Sequence, residues 1–131
     1  MMDQHDLMRR FLQEQPQVRL AHVASDLLRI FSSLRHASKH SVTPNMINES
    51  KWFCEWAAIE SAKANDIETA HSLLTLQRQL VRWDRHFDEI YADPVRRAEM
   101  AETARAWSNH LLVLSGLLTQ NERTVAKHDP A

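Results

Sequence analysis

A single glycine, Gly116, stands in this 131-residue chain, and its isolation excludes whole classes of site. Loops that cradle phosphates, and sharp turns that present a nucleophile, need several glycines. Only a residue without Cβ tolerates the backbone angles and close approach involved. Walker, Rossmann and Gly-x-Ser-x-Gly sites are therefore absent. Cysteine is equally scarce: Cys54 stands alone, so no intrachain disulfide forms and the fold needs no oxidising compartment. No apolar run approaches the roughly 20 residues of a membrane-spanning helix, and the polar N-terminal stretch MMDQHDLMRRFLQEQ has no secretory apolar core. A soluble, cytoplasmic protein with no membrane partner is the expectation. Neither sign of charge dominates, with 16 basic against 17 acidic residues; a general polyanion binder would carry a basic excess. Few β-branched clusters and one glycine also speak against a β-sheet.

What the chain does have is helical periodicity. Apolar residues at 44% and charged residues at 25% suit a globular chain, and the length suits one domain over 1–131. Leu73, Leu76, Leu80, Trp83, Phe87 and Ile90 form one seam; Met100, Ala104, Trp107, Leu111, Leu114 and Leu118 form a second. Steps alternating three and four place each set on one stripe of a helix. The two meet at Asp93-Pro94. A third seam runs through Leu20, Ala24, Leu27, Phe31 and Leu34, widened by Val23, Leu28 and Ile30. Pro16, Pro44 and Pro94 suit first helical turns, where the missing N–H costs nothing, and Thr43, Asp66 and Asp93 suit N-caps. The expected helices are 3–13, 17–40, 44–64, 66–91 and 94–118, with 1–15 holding the short N-terminal helix and 119–131 a flexible polar tail. Short connections force consecutive helices antiparallel. The expected fold class is all-α: an antiparallel up-down four-helix bundle with a short extra N-terminal helix.

Two surface features suggest partners. Trp52, Phe53 and Trp56 spread beyond one narrow stripe, which predicts an apolar protein interface and self-association into a homo-oligomer. Arg78, Arg82 and Arg85 follow i, i+4, i+7 spacing, and Arg96 and Arg97 extend the set past the corner. Planar guanidinium forks suit phosphate or an acidic partner. Asp84, Asp88, Glu89 and Asp93 are interleaved with them and are expected to neutralise them through local helix pairs.

Histidines raise the question of metal. His36-x-x-x-His40 shares one helical face, and Glu68-x-x-His71 is half of a di-iron bundle motif. A ligand inside a bundle must project near the seam. With Leu34 at d, His36 falls at f and His40 at c; with Leu73 at a, His71 falls at f and Glu68 at c. His22 also falls at f, and only His86 and His110, at g, flank a seam. The seams thus turn most imidazoles to water, and neither metal nor cofactor is expected. His36 and Lys39 resemble the His-x-x-Lys pair of histidine phosphotransfer domains, four-helix bundles of similar size. That likeness implies a phosphorylatable His36, although His40 stands where the family carries a small residue. Cys54 has no assignable base, so nucleophilic catalysis has no support. The expected function is a non-catalytic protein-interaction module, or a small structural or adaptor subunit of a larger assembly. A nucleic-acid-associated helical subunit using the arginine stripe is one alternative. A metal-binding or histidine-phosphotransfer-like bundle is the other.

Overall fold

The computed structural model describes residues 3–36 and 42–117. These residues form six helices and no strand: α1 (Gln4–Leu12), α2 (Pro16–Leu34), α3 (Thr43–Lys63), α4 (Ile67–Arg85), α5 (Phe87–Ala92) and α6 (Pro94–Ser115). None of them is long and apolar enough to cross a membrane.

Local chemistry accounts for most boundaries. Asp3 caps α1 by accepting from the Asp6 N–H at 2.8 Å. Asp66 accepts from Thr69 N–H, and Asp93 from Val95 and Arg96 N–H, so both act as the expected caps. Pro16, Pro44 and Pro94 all occupy first turns. After α3, Asn65 adopts a left-handed φ of 64°, a conformation a short amide side chain tolerates. Asp66 N–H then folds back onto the Ser61 carbonyl at 2.8 Å and reverses the chain. Gly116, at φ 81°, ends α6 in the same way.

Four boundaries depart from the sequence expectation, the first being α6, expected to reach 118 but ended at Ser115 by Gly116. Thr43 is not a cap: it is fully buried, and its Oγ1 lies 2.7 Å from Ser33 Oγ, tying the start of α3 to the end of α2. The helix expected over 17–40 ends at Leu34; Lys39 and His40 lie outside the described residues, as do Leu118 and the tail. The helix expected over 66–91 is two, because His86 leaves the helical conformation at φ −116°, ψ 22°. Phe87 and Ile90 stay buried beyond that break, so the seam continues although the helix does not.

Packing is most extensive between α2 and α6 and between α3 and α4, and α2 against α3 joins the two pairs. The core draws on Leu27 and Ile30 of α2, Ile47 and Phe53 of α3, Leu73, Leu76 and Leu80 of α4, and Leu111 of α6, all fully buried. Each such side chain stabilises the fold by about 1.5–3 kcal/mol. Phe11 anchors α1 by stacking on Phe53, ring centres 4.4 Å apart. Helix α6 does not use its expected seam throughout. Met100, Ala104 and Leu111 of that seam are buried, but Trp107 and Leu114 are only partly so, and Ala101 and Ser108, outside it, face inward. Ser108 Oγ donates to the Ala24 carbonyl of α2 at 2.8 Å, a contact that a large side chain at either position would block.

Candidate functional site

Helix α2 packs chiefly against α6 and α3 and therefore buries two stripes, and the one towards α3 includes polar side chains. His22 and Asp26 are four residues apart, on one face of α2, and Glu49 reaches them from α3. One donor atom from each of the three lies within 4.8 Å of the others. Glu14, in the turn between α1 and α2, places Oε1 3.4 Å from His22 Nδ1. The imidazole packs against Phe53 at 4.8 Å and Phe11 at 5.9 Å between ring centres. His22 is thus half-buried, whereas its f position relative to the α2 seam predicted a side chain in water. A heptad seam implies one buried stripe per helix, and α2 has two.

Asp26 is the unusual member. It is 2% exposed; Oδ1 lies 3.6 Å from the exposed Arg29 guanidinium, and Oδ2 has no hydrogen-bond partner. Leaving a buried acceptor unmatched costs about 1–3 kcal/mol. Burial, and next the charge of Glu49, push the Asp26 carboxyl up to about 7, and a side-chain hydrogen bond between the two acids adds to the rise, against opposing effects of His22 and Arg29. Burial, with Asp26 adding to it, also raises the pKa of the fully buried Cys54 thiol, which keeps it protonated and a poor nucleophile. Neither the His22-Asp26 spacing nor Glu49 was singled out from the sequence. The signal available was the i, i+4 pair on a helix whose apolar face is too wide for one neighbour.

The arginines are arranged differently from the expected continuous stripe. Arg78 and Arg85 are exposed on the outer face of α4. Arg82 and Arg96 line a groove between α4 and α6, together with Gln79, His86 and Glu99. Arg97 folds back, donating to the Tyr91 carbonyl at 3.1 Å and lying over the Tyr91 ring. Three of the four acids expected to neutralise the stripe have other contacts. Asp84 pairs with Lys51 of α3 at 3.0 Å, Glu89 with His86 at 3.8 Å, and Asp93 caps α6. Among the described residues, Arg78, Arg82 and Arg85 make no ion pair. Beside them runs a row that the seams did not predict: Ile67, Leu74 and Val81, spaced by seven and 61%, 43% and 42% exposed.

The aromatic trio is mostly interior. Phe53 is 0% and Trp56 8% exposed, in the cluster with Phe11, and only Trp52 remains partly accessible. These side chains are spent on holding α1 and α3 together. Of the interface expected of them, Phe53 and Trp56 are covered within the chain, and Trp52 alone keeps accessible surface. His36 is exposed just past the end of α2, and His71 and His86 are exposed on their helices. His110 Nε2 lies 3.3 Å from Ser72 Oγ, linking α6 to α4. Comparison with protein-family models, with curated proteins and with solved structures finds no match to this chain.

Proposed function

We propose that the chain is a non-catalytic helical interaction module, a small structural or adaptor subunit that seats an acidic amphipathic helix on the outer face of α4. The observation that carries this reading is the exposed row Ile67, Leu74 and Val81 beside Arg78, Arg82 and Arg85, which make no ion pair among the described residues. A partner helix with an apolar stripe flanked by carboxylates satisfies both at once. A nucleic-acid backbone would use the guanidinium groups but gain nothing from the apolar row. We read α2, α3, α4 and α6 as an antiparallel four-helix bundle with α1 laid on α3. Such a bundle offers rigid faces and few deep concave sites. Because Phe53 and Trp56 are packed within one chain, self-association through them is not part of the proposal.

The test is capture from extracts of the native host with the wild type, with Arg82→Glu/Arg85→Glu, and with Leu74→Asp/Val81→Asp. A partner held by the wild type is expected to be lost by both variants. Its affinity should fall at least tenfold between low and physiological salt, because the pairs are exposed. Retention of the same partner by both variants would sink the reading. So would salt-sensitive oligonucleotide binding that Arg82→Glu/Arg85→Glu abolishes. Sedimentation of the isolated chain at tens of micromolar is expected to show monomer.

A further inference from the structure

We propose that His22, Asp26 and Glu49 hold a single divalent transition-metal ion between α2 and α3. Two donors at i, i+4 share one helical face and can hold one ion, as in zinc-binding helices, and helical bundles add further ligands from a facing helix. Donors bound at about 2.1 Å to one ion lie about 3–4 Å apart. The spread of 4.8 Å among these three atoms therefore closes by small side-chain rotations.

The surroundings favour a cation independently of the spacing. Among the described residues, three buried side-chain atoms lack a hydrogen-bond partner: Glu14 Oε2, Asp26 Oδ2 and Ser50 Oγ. Two of these belong to carboxyl groups at the cluster, and Ser50 follows Glu49 along α3. Asp26 is almost wholly buried, and no protein donor reaches its Oδ2. Its side-chain hydrogen bond is to another acid, Glu49, through a shared proton, and a bound cation would take that proton's place between the two carboxylates. Glu14, Asp26 and Glu49 bring carboxylates together, and the guanidinium paired with them among the described residues, Arg29, lies 3.6 Å from Asp26 while itself mostly in solvent. The imidazole is already held between Phe11, Phe53 and Glu14, so little ordering is left for the ion to impose. Because the His22 side chain is 37% exposed, solvent reaches the site and can complete the coordination shell.

The donor chemistry narrows the ion. One imidazole nitrogen with carboxylate oxygens suits zinc, manganese or ferrous iron. Calcium, which takes six to eight oxygens, is disfavoured by the imidazole. Soft cuprous copper is disfavoured by the absence of a thiolate, since Cys54 is buried and protonated.

Chelator-stripped full-length protein titrated with zinc, and separately with manganese, by calorimetry is the experiment. One ion per chain is expected, with a rise in melting temperature. His22→Gln, Asp26→Asn and Glu49→Gln should each weaken binding at least tenfold and abolish that rise. Circular dichroism checks that each variant folds; His22 and Glu49 are only partly buried, so their variants keep the test valid should Asp26→Asn misfold. No stoichiometric binding of either metal would overturn the proposal. So would binding unchanged in both His22→Gln and Glu49→Gln, which would place the ion on surface histidines such as His36 or His71.

Discussion

Helix α2 meets its two partners in opposite ways. Against α6 the contact is extensive, made by small side chains and polar groups that are satisfied, with Ala24 on one side, Ala104 and Ser108 on the other, and a hydroxyl donating to a carbonyl at 2.8 Å. Against α3 the contact is charged and incomplete: Asp26 is buried with an unmatched oxygen, beside Glu49 and a half-buried His22. The first arrangement serves stability and gains nothing by change. The second costs stability as it stands, which is the mark of a place where packing has yielded to another demand.

Titration of the charged side should have the largest effect. In metal-free protein Asp26 has a folded-state pKa of about 7 against an ordinary value of 3.8. The folded chain therefore keeps a proton between those values that the unfolded chain has lost. Stability from this group is intact near pH 4, falls as pH rises towards 7, and is flat above that. The loss is on the order of 4 kcal/mol, because the folded chain binds this proton roughly a thousandfold more tightly than the unfolded chain does. Glu49, His22 and Arg29 face the carboxyl and contribute to its value. Asp26→Asn should consequently stabilise the chain by about 2–4 kcal/mol at pH 8 and by little at pH 4, measured by urea unfolding with chelator present. Equal effects at both pH values would show that the carboxyl is not the strained element.

Overpacking the satisfied side comes next. Ala104 is fully buried, so Ala104→Leu should cost about 1–3 kcal/mol at every pH. Ser108→Ala removes one hydrogen bond but leaves the Ala24 carbonyl within its own helix, and a loss of about 1 kcal/mol is expected. If Ser108→Ala proved as costly as Ala104→Leu, the α2–α6 contact would depend on polar matching more than on size. The smallest effect belongs to Lys51→Ala, which breaks the partly exposed bridge to Asp84. It should shift stability by no more than about 1 kcal/mol, and that shift should shrink in high salt.

Much of the fold was legible in the chain because local chemistry decides where helices start and stop. Asp66 and Asp93 cap as their side chains allow, the prolines open first turns, and Asn65 occupies the left-handed position at the expected Asn65-Asp66 boundary, whereas Gly116 ends α6 inside the span expected to stay helical. The Leu73–Leu76–Leu80–Trp83 seam is buried as its spacing requires. The candidate metal centre was not legible. Placing His22 in water followed from a single seam on α2, and a one-dimensional period carries no information about a second neighbour. The arginine stripe was visible, yet its state was not. Whether Asp84 neutralises Arg85 or Lys51 depends on how α3 lies along α4, not on spacing within α4.

Composition and periodicity by themselves determined that this chain is helical, roughly where its helices begin, and which leucines are interior, because capping and amphipathicity act over a few residues. Tertiary structure alone decided that α2 carries two buried faces and that Phe53 and Trp56 turn inward onto Phe11. It also decided that Asp26 and Glu49 meet beside His22. Those outcomes depend on which helix lies beside which, and the free energy that selects a neighbour is spread over the whole core.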